Sequence, residues 1–130
     1  MGVEKKELTL NEYQCKAMGT CLPSCNNFSY MMLNLVGEVG ELAGKVAKAI
    51  RKETGIMDDA NFYYYMNQDE GGPSSSELYA DLKSEAGDIL WQLAGLCSVM
   101  GWPLQEIGQG NLDKLSNRKK EGTIITHTDH

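Results

Sequence analysis

Residues 36–42, Val-Gly-Glu-Val-Gly-Glu-Leu, have a near copy at residues 84–89, Ser-Glu-Ala-Gly-Asp-Ile. Each stretch carries two acids three residues apart, within an apolar pattern of helical spacing. A carboxylate at the edge of a buried stripe costs desolvation free energy unless a cation or hydrogen-bond donors compensate it. The two stretches therefore predict two helices that bring four carboxylates to one cation.

The rest of the chain also shows helical spacing, with turn signals between the helices, and predicts a single all-α domain of about four helices. The first follows Thr9 as N-cap and runs to about Met18, and residues 19–27 form a loop. The second helix is expected to run from Phe28–Tyr30 to about Glu53, with Gly55 as its C-cap. The third begins at a capping box formed by Ser74 and Glu77 and ends at Met100, before Gly101. The fourth runs from Pro103 to about Glu121, before Gly122.

The segments between and around these helices are expected to be irregular. Residues 54–76 predict a long loop with one helical turn at most, which is unusual inside a compact domain. Within it, the aromatic run at residues 62–65 is expected to pack over the core or a contact surface, or to line a pocket. Residues 1–8 and 123–130 are expected to be flexible ends.

The predicted core faces follow the helical period. On the second helix the face comprises Leu35, Val36, Val39, Leu42, Ala43, Val46 and Ile50. On the third it comprises Leu78, Leu82, Ala86, Ile89, Leu90, Leu93, Leu96, Cys97 and Met100. On the fourth helix Leu112 and Leu115 mark the buried side.

Length and charge exclude several classes of protein. A chain of 130 residues with a net charge of −6 lacks the basic excess of a nucleic-acid binder. It contains no apolar run long enough to span a bilayer, and its first residues do not form a signal peptide. We therefore expect a cytoplasmic protein that binds neither nucleic acid nor membrane.

The four cysteines do not show the spacing of a structural zinc site. Cys15, Cys21 and Cys25 are six and four residues apart rather than in CxxC pairs. Cys97 lies in an apolar helical run and is predicted to be a small core residue. We expect free thiols, and a metal or redox role for the first three is the alternative.

Helical geometry places the two acidic pairs in the same register. At 100° per residue, Glu38 and Glu41 lie just off one edge of the core arc of their helix, with Lys45 between them. Glu85 and Asp88 take the same angular positions on the third helix. Packed antiparallel, the two helices would direct all four carboxylates to one point, although paired acids on a helix are also common on solvated faces.

The ligand chemistry points to a hard divalent cation. Four carboxylates at contact distance repel one another unless a cation is bound, and oxygen ligands favour Mg²⁺, or Mn²⁺ as a substitute. A di-iron bundle would need Glu-x-x-His motifs, whereas His127 and His130 lie in the tail. The reaction indicated is attack of a metal-activated water on a phosphoryl group.

A polar stripe on the fourth helix complements this site. Asn111, Lys114 and Arg118 recur at helical spacing, and such side chains can bind a base or sugar and neutralise phosphates. A solvated basic face is the alternative reading of the same spacing.

Taken together, these motifs resemble those of a known family. Residues 37–42, Gly-Glu-Val-Gly-Glu-Leu, residues 85–91, Glu-Ala-Gly-Asp-Ile-Leu-Trp, and residues 111–118, Asn-Leu-Asp-Lys-Leu-Ser-Asn-Arg, resemble the MazG-like nucleotide pyrophosphohydrolases. These enzymes belong to the all-α NTP pyrophosphatase superfamily. Residues 10–14 also resemble the first helix of that family, so the resemblance extends from about Leu10 to Thr123.

The resemblance implies hydrolysis of a nucleoside triphosphate between its α and β phosphates, which yields a monophosphate and pyrophosphate. It implies that Glu38, Glu41, Glu85 and Asp88 bind Mg²⁺ and act in catalysis. It further implies a homodimer or a dimer of dimers in which helices of two subunits complete the bundle. The expected substrate-binding residues are Asn111, Lys114, Arg118, Lys45, Trp91 and Gln14.

The chain departs from the family pattern in places, and rival functions stay open. Gln92 stands where many relatives have an aromatic residue, which puts base stacking there in doubt, and the tail lacks the family's later glycines. One alternative is a helical regulatory module that binds nucleotide without hydrolysing it. Another is a phosphoribosyl-ATP pyrophosphatase, which the flanking glycines and the stripe on the fourth helix fit less well.

Overall fold

A computed structural model of the chain describes residues 7–52 and 72–122. These residues form four α-helices and contain no strand, which confirms the all-α prediction. The helices are α1 (Leu10–Met18), α2 (Phe28–Lys52), α3 (Gly72–Met100) and α4 (Leu104–Lys120), with a short 3-10 turn at Pro23–Cys25 between α1 and α2. In the described part of the chain, none of the helices is long and apolar enough to cross a membrane.

The helix ends carry the capping residues that the sequence supplies. The Thr9 hydroxyl accepts a hydrogen bond from the Glu12 backbone N–H at 3.1 Å, and the Asn27 side chain accepts one from the Tyr30 N–H at 2.8 Å. Gly101 and Gly122 adopt positive φ values of 75° and 70° after α3 and α4. Because this conformation is easily reached only by glycine, both residues end their helices where predicted.

The start of α3 differs from the prediction. The helix begins at Gly72, two residues before the predicted capping box at Ser74, and Pro73 occupies its first turn. Proline suits that position because the first backbone N–H groups of a helix have no intrahelical acceptor. The remainder of the predicted loop, including Gly55 and the aromatic residues 62–65, lies outside the described residues, as does the tail.

Helices α2 and α3 pack against each other in antiparallel orientation. Lys45 pairs with Asp81 and Glu85, whereas Met31, two turns before Glu38, packs against Gly95 near the other end of α3. A methyl group added at Gly95 would meet the Sδ and Cε atoms of Met31 well inside contact distance. Because Met31 is fully buried, its side chain has little room to move away, so this contact favours glycine over alanine.

The core lies where α1, α3 and α4 meet. Ala94, Cys97 and Leu104 form its buried cluster, with Tyr13, Met18 and Leu93 packed against it. The predicted core position of Cys97 is thus confirmed, and all four cysteines are free thiols.

The predicted core faces are only partly correct. Several of their members are exposed within one chain: Val36, Val39, Ala43, Ala86, Leu90, Met100, Leu112 and Leu115. Val36 is 65% exposed and Leu112 is 61% exposed. Among residues 7–52 and 72–122, helix α3 is the main neighbour of α2 and covers only one side of an apolar arc of about 120°, so the sequence pattern overstates the burial in this part of the chain.

Candidate metal centre

Three of the four predicted acids come together between α2 and α3. Glu38, Glu41 and Glu85 each offer a carboxylate oxygen within 4.8 Å of the others. Glu38 and Glu41 are adjacent on α2 because they are three residues apart, and the antiparallel packing sets Glu85 of α3 opposite them. The register argument from the sequence therefore holds for this triple.

One lysine enters the acidic cluster. The Lys45 Nζ lies 3.1 Å from an oxygen of Glu85 and 3.9 Å from an oxygen of Asp81. Lys45 follows Glu41 by one helical turn, so it projects from the same side of α2 toward α3. In this structure it contacts acids of the site, whereas the sequence suggested a contact with substrate.

The buried oxygens of the cluster fit a metal ion. One oxygen of Glu38 and one of Glu85 are buried and have no hydrogen-bond partner among the described residues. A buried acceptor without a partner loses its hydration without compensation, which costs on the order of 1–3 kcal/mol or more for a charged group. A divalent cation would supply the missing contacts, and hard carboxylate oxygens are the ligands that Mg²⁺ and Mn²⁺ prefer.

The pKa values of the two facing acids, Glu38 and Glu85, are shifted in opposite directions. Burial raises the pKa of Glu38, and its hydrogen bond to Glu85 and the negative charges of Glu41 and Asp88 raise it further. The hydrogen bond from Lys45 lowers the pKa of Glu85 in spite of its burial. Without a metal, Glu38 is therefore the acid of this pair that retains its proton more readily.

Asp88, the fourth predicted ligand, lies at the edge of the cluster. It is exposed and is not part of the triple. Its charge contributes to the raised pKa of Glu38 and, after burial, to that of Tyr13. Its charge therefore acts on the site, although its carboxylate is not among the three clustered groups.

Gln14, one of the predicted substrate-binding residues, makes its side-chain hydrogen bonds within the fold. Its amide nitrogen donates to the carbonyl oxygens of Ala94 at 3.3 Å and Trp102 at 3.0 Å, and its oxygen accepts from the Leu104 N–H at 2.8 Å. The side chain is 8% exposed, and both amide hydrogens are engaged. Gln14 therefore joins α1 to α3 and to the start of α4.

Trp91 connects α3 to the end of α1. Its indole N–H donates to the Ala17 carbonyl oxygen at 3.2 Å and to the Thr20 hydroxyl at 3.0 Å. The polar atom of Trp91 is therefore occupied within the fold, and any contact with substrate would use the ring.

The polar stripe of α4 lies far from the acids of the same chain. Helix α4 runs antiparallel to α1, with Leu104 at Gln14 and Gly108 beside Leu10. At 1.5 Å per residue, Asn111 lies on the order of 20 Å from Asp88 along the bundle, and Lys114 and Arg118 lie farther away. One chain alone does not bring the predicted phosphate-binding residues to the metal centre.

Two residues of this region were not singled out as site residues by sequence reasoning. Asp81 lies one helical turn before Glu85 and opposite Lys45. The antiparallel packing predicted from the sequence would have been enough to place these two residues opposite each other. Gln92 is 6% exposed, and its side-chain oxygen has no hydrogen-bond partner among the described residues. From the sequence, Gln92 was notable only as a departure from the family pattern.

Comparison with known proteins agrees with this architecture and site. The MazG nucleotide pyrophosphohydrolase domain family matches residues 26–123, and the chain belongs to this family. Membership implies a nucleotide pyrophosphohydrolase in general terms, and the family generally uses a divalent metal.

One curated relative extends the comparison. The chain is 35% identical to the Gene 37 protein of Mycobacterium phage L5 over 106 aligned residues. The aligned region covers 82% of this chain and 77% of the phage protein. Its name gives no activity. No solved structure was found to be significantly similar to the chain.

Proposed function

We propose that this protein is a Mg²⁺-dependent pyrophosphohydrolase of nucleoside or deoxynucleoside triphosphates. It would cleave the bond between the α and β phosphates and release a monophosphate and pyrophosphate, as part of housekeeping of the cytoplasmic nucleotide pool. The observation that carries the proposal is the triple of Glu38, Glu41 and Glu85 in a chain of the MazG family. Two buried oxygens of this triple have no hydrogen-bond partner within residues 7–52 and 72–122.

In this proposal the four acids bind the metal ion, and one of them also acts as the base. Glu38, Glu41 and Glu85 would hold Mg²⁺ (or Mn²⁺), and Asp88 at the edge would complete the set. When bound, the ion would neutralise phosphate charge and lower the pKa of a water ligand. One of the four carboxylates would accept the proton of the attacking water.

The polar stripe of α4 would act across a subunit interface. Asn111, Lys114 and Arg118 cannot approach the acids of their own chain, so a second copy is the source of phosphate-binding groups that this geometry favours. The exposed apolar face of α2, with Leu33 at 72% and Val36 at 65% exposure, supports such a partner. We propose a homodimer, or a dimer of dimers, whose site is completed by the partner's α4.

A substrate panel tests the activity. The protein is incubated with each canonical NTP and dNTP and with phosphoribosyl-ATP, with Mg²⁺ or with EDTA, and pyrophosphate and monophosphate are measured. We expect Mg²⁺-dependent release of both products from at least one nucleoside triphosphate. Hydrolysis of phosphoribosyl-ATP alone would replace this proposal with the rival pyrophosphatase.

A matched pair of variants ties the activity to the site. Glu41→Gln removes one carboxylate of the triple and should lower kcat/KM by at least about a hundredfold, since charge stabilisation of this kind is worth several kcal/mol. Glu106→Gln makes the same change at an exposed position of α4 and should leave kcat/KM within twofold. Product release that is unaffected by Glu41→Gln would refute the assignment of the site.

A further inference from the structure

Lys45 forms an ion pair with one acid of the triple, Glu85, and with Asp81 outside the triple. Its Nζ is 3.1 Å from Glu85, whose side chain is only 11% exposed, and 3.9 Å from Asp81, whose side chain is 59% exposed. One acid of this bridge belongs to the metal triple, and the other lies outside it, one helical turn away toward solvent. The lysine therefore lies between an inner and an outer carboxylate.

We propose that Lys45 is an internal counter-ion that holds Glu85 in the metal-free protein and moves to Asp81 when a divalent ion binds. This inference rests on the proposed metal centre and assigns Lys45 to the positioning of Glu85 rather than to substrate. It explains how carboxylates from two helices can face each other before metal arrives, since like charges at this distance repel.

The charges and contacts favour an exchange over a fixed ion pair. Lys45 bonds Oε1 of Glu85, whereas Oε2 is the buried oxygen without a hydrogen-bond partner among the described residues. A divalent ion on Oε2 would put two cations on one carboxylate, and their repulsion would favour movement of Lys45 to Asp81. Asp81 is already within 3.9 Å and is solvent-exposed, so it offers Lys45 a second partner at low desolvation cost. The metal-free and metal-bound states would then each pair the lysine with an acid.

Metal binding to the full chain tests the exchange without reference to hydrolysis. Mn²⁺ affinity is measured by electron paramagnetic resonance or calorimetry, in the absence of nucleotide, for the wild type, Lys45→Met and Lys45→Arg. We expect Lys45→Met to bind Mn²⁺ about tenfold more tightly, because one positive charge near the ion is removed, and Lys45→Arg to stay near wild type. Lys83→Met, which removes an exposed lysine two residues from Glu85, should change the affinity less than twofold.

A double-mutant cycle separates the exchange from general electrostatics. Asp81→Asn should weaken Mn²⁺ binding about threefold in the wild type, because Lys45 loses its outer partner, and should have almost no effect in the Lys45→Met background. If Asp81 acted only through its charge, the same weakening would occur in both backgrounds. Equal effects in both, or looser binding by Lys45→Met, would overturn the inference.

A measurement on the wild type covers the case in which Lys45→Met does not fold. Amine labelling followed by mass spectrometry should show that Lys45 becomes more reactive on addition of Mg²⁺, since its partner changes from a buried to an exposed acid, whereas Lys48 and Lys83 stay unchanged. Constant or reduced labelling of Lys45 would contradict the exchange. A wild type that binds no Mn²⁺ would overturn the inference and the metal part of the proposed function together, whereas tight binding without the Lys45 effects would overturn the inference alone.

Discussion

Replacing Gln14 by methionine distinguishes a structural from a substrate-binding role for this residue. Methionine keeps most of the side-chain volume and removes three hydrogen bonds, to Ala94, Trp102 and Leu104. The Ala94 oxygen still accepts its helical bond, but the Trp102 oxygen and the Leu104 N–H lose a partner. Leu104 is the first residue of α4 and is 4% exposed, so water cannot readily replace the amide there.

The expected loss of stability follows from these two groups. A buried polar group left without a partner costs about 1–3 kcal/mol, which applies fully to the Leu104 N–H and only in part to the oxygen of Trp102, a residue that is 45% exposed. The variant should therefore lose about 2–3 kcal/mol of the free energy of unfolding. For a domain of this size that corresponds to a decrease in Tm of about 10 °C. The loss is a large share of a typical stability of about 5–15 kcal/mol.

Thermal and chemical denaturation at fixed protein concentration measure the effect, and nucleotide hydrolysis well below Tm measures function. Gln109→Met is the control, since Gln109 is exposed on α4 and makes one bond, to Asp113 at 3.0 Å; its Tm should change by less than about 3 °C. We expect Gln14→Met to keep the kcat/KM of the folded wild type. An unchanged Tm together with a large loss of kcat/KM would refute the structural role and restore Gln14 to the substrate site.

Three further predictions concern packing, pH and assembly. Gly95→Ala should lose about 1–2 kcal/mol of stability, because its methyl group meets buried Met31 and the cost exceeds the gain in helix propensity. In EDTA, the free energy of unfolding of the wild type, measured relative to that of Glu38→Gln, should fall as pH rises from about 4.5 through the raised pKa of Glu38. In that pH window the native state binds more protons than the unfolded state, so a rise in pH favours unfolding. Leu33→Asp and Val36→Asp should each shift the proposed dimer toward monomer in light scattering, because they put a charge on an exposed apolar face.

Each of these three predictions has a control variant or a result that would contradict it. Gly110→Ala, where an added methyl group meets no atom of the described residues within 4 Å, should be neutral or more stable by up to about 1 kcal/mol. Equal effects at Gly95 and Gly110 would contradict the packing argument. A stability difference between wild type and Glu38→Gln that is constant with pH would show that the native pKa of Glu38 is not raised. Leu8→Asp, exposed but before α1, should leave the mass in solution unchanged, and a monomeric wild type would refute the assembly.

The local features of this protein can be read from its sequence because they depend on residues close in the chain. Thr9, Gly101 and Gly122 mark helix ends through their own hydrogen bonds and backbone conformations, and the helical period places Glu38 and Glu41 on one side of α2. The spacing of the second acidic pair likewise identified Glu85 as a partner. The start of α3 is less well determined by local signals: the capping box predicts it at Ser74, and the helix begins two residues earlier, at Gly72.

The roles of individual side chains depended on tertiary contacts that periodicity does not contain. Gln14 looks like a polar residue available to substrate until Leu104 and Trp102, some 90 positions away, are seen to use its amide. Val36 has the spacing of a core residue, but within the described part of the chain α2 packs mainly against α3, and Val36 is exposed. Sequence determined the helices and the acidic pairs, because both follow from local spacing. Only the packing of α3 against α2 and α1 decided which acids meet, which lysine contacts Glu85 and which apolar faces remain exposed.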